Sequence, residues 1–188
     1  MISRLSDLLS RISSGRTLLL SFLVFMIFPL FALPWLGRQV DLSSEPGEAY
    51  ELLFVSTPEE LYSSFEGYGE QGRKVYALGT ATIDMAFPVA SALFQGILIT
   101  MLLRRAFPSR PRWQRLNLLP SGAALLDVTE NLGLLVLLWS YPGRLTGLAA
   151  VTALITVFKW TMVGLSFLTV AILALGVVYR LLRRRKAA

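Results

Sequence analysis

The chain has 188 residues, of which 54% are hydrophobic and only 16% charged, with a formal net charge of +6. Soluble domains average about 45–50% apolar and about 25% charged residues, so this composition argues against a water-soluble globular fold. Cysteine and histidine are both absent, which excludes thiol nucleophiles, disulfide exchange, His-dependent triads and metal centres built from Cys or His.

Residues 1–16 read as a short amphipathic segment. Leu5, Leu8, Leu9 and Ile12 recur at helical spacing, with Arg4 and Arg11 beside them. Such a helix either lies along the headgroups or extends the first span. The first span is expected over residues 17–36, close to the roughly 20 apolar residues that cross a bilayer. It is longer than a secretory h-region and no small-x-small site follows it, so it is expected to stay uncleaved. Pro29 and Pro34 imply a kink or an early stop near its far end.

Residues 37–72 form the one sizeable loop, too short for an independent core and expected to lie as a partly helical outer lid on the span ends. Thr57, Pro58 and Glu60 are a helix start, with a capping threonine, a proline suited to the first position and a capping-box glutamate. Leu61 and Phe65 give that helix an apolar side.

The second span is expected over 73–104. Arg73, Ala77, Thr80, Asp84, Pro88, Ser91 and Gln95 form one stripe along it. Pro88 has no N–H for the Asp84 carbonyl, so a free backbone acceptor is expected there. A short basic loop leads to a third span over 116–141, striped by Asn117, Ser121, Ala124, Asp127 and Asn131, with Glu130 beside them. The fourth span, 146–180, carries Thr152, Thr156, Lys159, Val163 and Ser166. Its apolar run would measure about 50 Å, well beyond a ~30 Å hydrocarbon core. Either its first residues project above the bilayer, which is the preferred reading, or it tilts strongly or breaks near Gly164. Residues 181–188 are a basic tail.

Charge placement sets the topology. Thirteen of the eighteen basic residues fall at the two termini and in the second loop, whereas eight acids lie between Asp41 and Glu70. The positive-inside rule then puts both termini in the cytoplasm of a multi-pass protein of the cell inner membrane. Membrane lipids are the expected partners, with anionic headgroups at the basic tail. Nucleic acid is not expected, and a homo-oligomer is allowed.

Asp84, Asp127, Glu130, Asn131 and Lys159 are the candidate binding residues, with Arg73 as a further member. Ionisable groups in hydrocarbon cost at least ~2.5–3.5 kcal/mol each on insertion scales, so such a set points to function. Counted from the basic collar, Asp84 and Lys159 share a level about 30 Å up, Glu130 lies about 22 Å up and Asp127 about 18 Å up. The three spans could therefore wall a pocket that opens outward beneath the lid. Three acids against one lysine leave −2 if all ionise, so a carboxyl is expected to hold a proton, with Asp127 and Glu130 the pair to share it. Three readings follow: a site for a small solute, ion or lipid headgroup; an intramembrane enzyme using paired carboxylates; or a structural or accessory subunit whose charges only hold the bundle. The familiar catalytic signatures are absent, including HExxH, GxSxG and the P-loop. No cofactor is indicated and no metal site is assigned.

The strings TPEELYSSFEGYGEQGRKVY (57–76), TATIDMAFP (80–88), LPSGAALLDVTEN (119–131) and VFKW (157–160) together resemble a group of small, uncharacterised bacterial four-span membrane proteins. The likeness spans roughly residues 50–180. It implies an all-α, four-helix transmembrane bundle and carries no activity with it.

Overall fold

A computed structural model describes residues 2–43, 57–107 and 111–186. All regular structure among them is helical. The helices are α1 (Ile2–Ile12), α2 (Gly15–Ile27), α3 (Leu33–Ser43), α4 (Pro58–Gly67), α5 (Gly69–Gly79), α6 (Met85–Ala106), α7 (Leu119–Ser140) and α8 (Thr146–Lys186). A π turn at Phe28–Ala32 joins α2 to α3, another at Thr80–Asp84 joins α5 to α6, and a 3-10 segment, Pro111–Leu118, precedes α7. Four stretches are long and apolar enough to cross a membrane: Gly15–Ser43, Gly69–Ala106, Trp113–Ser140 and Thr146–Arg183. The chain is an all-α, multi-pass membrane protein.

The prolines of span 1 do not end it. The π turn widens the helix where Pro29 and Pro34 lack N–H donors, and the Leu33 N–H reaches back to the Phe28 carbonyl. The helix then runs through Gly37 to Ser43, so the first part of the expected lid is a helical extension of span 1. In span 4 the alternative of a break near Gly164 is absent. Helix α8 is continuous through Gly164 for 41 residues. Span 3 differs at its start, where the residues before Leu119 are 3-10 and Pro120 opens the α-helix. The expected loop residues 44–56 and 108–110, and the last two residues of the tail, lie outside the described residues.

Helices α6, α7 and α8 pack on one another as the core of the bundle. Gly133 of α7 meets Thr152 of α8 so closely that a Cβ there would lie 2.5 Å from the threonine Oγ1. Span 1 is attached to span 2, α2 along α6 and α3 along α5. The α2–α6 seam is a ladder of rings, with Phe22 and Phe25 on Phe94 at 5.3 and 5.2 Å and Phe25 and Phe28 on Phe87 at 5.9 and 5.7 Å.

The lid begins as its sequence indicates. The Glu60 N–H donates to Thr57 Oγ1 at 3.2 Å and the Thr57 N–H donates to Glu60 Oε2 at 3.1 Å, a complete capping box. Gly69 takes φ 61° at the α4–α5 corner, a backbone state that suits glycine. Leu61, Tyr62, Phe65 and Tyr68 bury against Leu36, Val40, Tyr76, Leu134 and Leu137. Tyr62 Oη accepts from the Leu145 N–H at 2.7 Å, pinning the lid to the start of α8.

Helix α1 is separate from span 1. Ser14 caps α2, its N–H donating to Thr17 Oγ1 at 2.9 Å while its own Oγ accepts from the Thr17 N–H at 3.2 Å. Arg104 donates to the carbonyls of Ser10 and Ser13, and buried Asn117 donates to that of Ser6, at 2.5, 3.4 and 3.4 Å. Leu9 is buried at Gly96, while Leu5, Leu8 and Ile12 stay exposed. The apolar stripe read from the sequence is thus divided between protein and surroundings.

Candidate functional site: a polar cavity between the spans

Asp127 and Glu130 lie one turn apart on α7, and Thr156 and Lys159 one turn apart on α8, so each helix presents two polar side chains at one level. Lys159 Nζ forms an ion pair with Glu130 Oε2 and a longer one, 3.5 Å, with Asp127 Oδ1. Thr156 Oγ1 donates to Glu130 Oε1 at 2.7 Å. Side-chain exposures are 15% for Lys159, 8% for Glu130 and 20% for Asp127, so this trio is largely desolvated. The lysine also lies 5.5 Å from the Trp160 ring centroid.

The lysine ammonium sits against both Asp127 and Glu130, the pair expected to share a proton. Lys159, placed at the level of Asp84 by residue counting, instead meets the two acids of α7. Its four-carbon stem moves the charge away from its own backbone level.

Asp84 stands apart. Its carboxylate makes no hydrogen bond or ion pair among the described residues, although it lines the same cavity as the trio. Its backbone is held firmly. Pro88 supplies no N–H to the Asp84 carbonyl, and Asn131 Nδ2 donates to that oxygen at 3.0 Å. Asn131 is 2% exposed, and its role is to satisfy the acceptor that the proline frees.

Arg73 is not a member of the cluster. Its Nη1 donates to the Phe65 carbonyl at 2.8 Å and its guanidinium lies 4.2 Å from the Tyr141 ring centroid, which commits it to the lid. Burial in the lid also raises the Tyr68 hydroxyl far above the usual phenol range, so it stays neutral.

Asp84, Asp127, Glu130, Asn131 and Lys159 share the wall of one cavity of about 430 Å³, a volume within the usual range of about 300–1,000 Å³ for small-molecule sites. Three carboxylates face one ammonium, an imbalance of −2 when all are ionised. At one end the lining is the lid, through Leu61, Ser64, Phe65 and Tyr68. Toward the end of the bundle that carries the termini, the lining is mainly apolar, with Phe25, Phe87, Val163 and Phe167. Polar groups also lie at that depth: Gln95 Nε2 donates to Ser91 Oγ at 2.9 Å, Ser166 Oγ donates to the Met162 carbonyl at 2.9 Å, and Gln95 Oε1 is buried without a partner among the described residues. Among the described residues, no group of three His, Cys, Asp or Glu side chains is arranged to hold a metal ion.

The aromatic walls were not legible as site residues. Phe22, Phe25 and Phe28 recur every three residues and Phe87 and Phe94 are two turns apart, a pattern equally at home against lipid. Thr156 lay on a recognised stripe, but a threonine in a span usually bonds to its own helix, which hides its second partner. No protein-family model matches the sequence, and neither a curated protein nor a solved structure matches it.

Proposed function

We propose that this membrane protein binds a small ligand bearing a positive charge, with Asp84 as its counter-ion. The observation that supports this reading is the unpartnered Asp84 carboxylate on a cavity wall where the one lysine is already held by Asp127 and Glu130. A buried negative charge without a partner is costly, so a site of this kind favours a cation or a proton. The basic termini and the basic second loop face the cytoplasm by the positive-inside rule, which turns the lid outward from the inner membrane.

A second reading assigns the charges to structure, and the Lys159 trio favours it for those residues alone: it ties α8 to α7 and uses both carboxylates. For the same reason an acid–base pair formed by Asp127 and Glu130 is the weaker reading, since neither is free.

The test is thermal unfolding of the purified protein with octylamine. At about 100 times its dissociation constant, a bound amine stabilises by about 2.7 kcal/mol. For a chain of this size that raises the Tm by roughly 5–10 °C. Asp84→Asn keeps the shape and removes the charge, and it should lose this shift. An equal shift in both proteins, or none in the wild type, sinks the proposal.

A further inference from the structure

Resting on that cationic-ligand reading, we infer that the ligand is a membrane-borne amphipath, an amine head on an apolar tail, which enters sideways between span 1 and α8. The first reason is the order of the lining. Asp84 and the Lys159 trio line the middle of the cavity, and Phe25, Val163 and Phe167 line it farther toward the termini, beside Ser91, Gln95 and Ser166. An alkyl tail would run along these apolar side chains from an amine head held at Asp84.

The second reason is access. The route through the lid is filled by side chains, for Tyr62, Phe65 and Tyr68 are each 2% exposed or less. On the membrane side the enclosure is looser. Span 1 packs along span 2, while α8 packs on α6 and α7. Phe25 of span 1 and Phe167 of α8 line the same cavity from these two separately anchored helices. Phe167 is also 57% exposed at the bilayer-facing surface. The proposed entry is therefore between these two helices, where the cavity wall is formed by side chains that also meet the outer surface of the bundle.

Charge complementarity selects the head. Three acids facing one lysine disfavour an anionic headgroup, and a zwitterion would bring its own negative charge toward them. The aromatic lining suits an alkyl tail and, near Trp160, an ammonium.

The experiment measures binding of radiolabelled dodecylamine to the protein in nanodiscs of neutral phosphatidylcholine, above empty discs. Ethylamine, with the same head and almost no tail, is the water-soluble competitor. Saturable dodecylamine binding is expected, with ethylamine weaker by at least about a hundredfold. Val163→Trp narrows the tail wall and should weaken dodecylamine at least about tenfold. Phe167→Ala, which leaves the core intact, should shift preference toward hexadecylamine and guards against a misfolded tryptophan variant. Equal affinity for the two amines, insensitive to both variants, overturns the lateral amphipath while the cationic site stands. Binding of neither amine above the Asp84→Asn background overturns both.

Discussion

Replacing Lys159 by methionine should destabilise the protein by about 3–5 kcal/mol, the range for removing one partner of a buried ion pair. Methionine matches the stem in volume, so packing changes little. What changes is the charge balance, because Glu130 and Asp127 are 8% and 20% exposed and Lys159 is the only cation that either contacts among the described residues. Thr156 can still donate to Glu130, but one neutral hydrogen bond does not offset a desolvated carboxylate. Reversible unfolding in mixed detergent micelles measures the loss. Adding Glu130→Gln to the same chain removes the stranded charge and should recover more than half of it. A single-variant loss below about 1 kcal/mol would mean that the trio is solvated in the membrane and contributes no more than a surface pair.

Phe65→Ala should be of similar size, about 3–5 kcal/mol, but confined to the lid. Phe65 is 1% exposed and packs edge-on against Tyr62 and Tyr141, with ring centroids 5.9 and 6.3 Å away. Its carbonyl also holds Arg73. Truncation therefore empties the centre of the cluster that joins α4 to spans 1, 2 and 3. Because this cluster sits at one end of the bundle, the loss should register as local opening. Amide exchange across 58–67 should speed up at least about a hundredfold, while the amides of α6 and α7 keep their protection. Unchanged exchange in α4 would show that the lid is held by something other than its aromatic core.

Much of this arrangement was written in local rules. Apolar run lengths give four spans, and the helical spacing of Asp84, Asp127 and Lys159 with their neighbours gives three stripes that turn toward one another. The Asp84–Pro88 spacing announced a free carbonyl, and Thr57 with Glu60 announced the start of α4. Other features depend on contacts between distant segments. Counting residues fixes backbone levels but not where a flexible lysine delivers its charge, which is why Lys159 met Glu130 rather than Asp84. Arg73 continues the Asp84 stripe by spacing alone, yet the Phe65 carbonyl and the Tyr141 ring, both off the span, capture it. The π turn at Phe28–Ala32 hides behind two prolines that ordinarily end a helix.

The division of labour between one free carboxylate and three bound charges is most directly tested by comparing the stabilities of Asp84→Asn and Glu130→Gln without ligand. Asp84→Asn removes a charge that has no partner and sits near two others of its own sign, so its stability should match or exceed that of the wild type. Glu130→Gln, which breaks the ion pair with Lys159, should lose about 3 kcal/mol or more. Equal losses in the two variants would contradict the assignment, making Asp84 one more strut of the bundle and leaving the cavity without a reason to attract a cation.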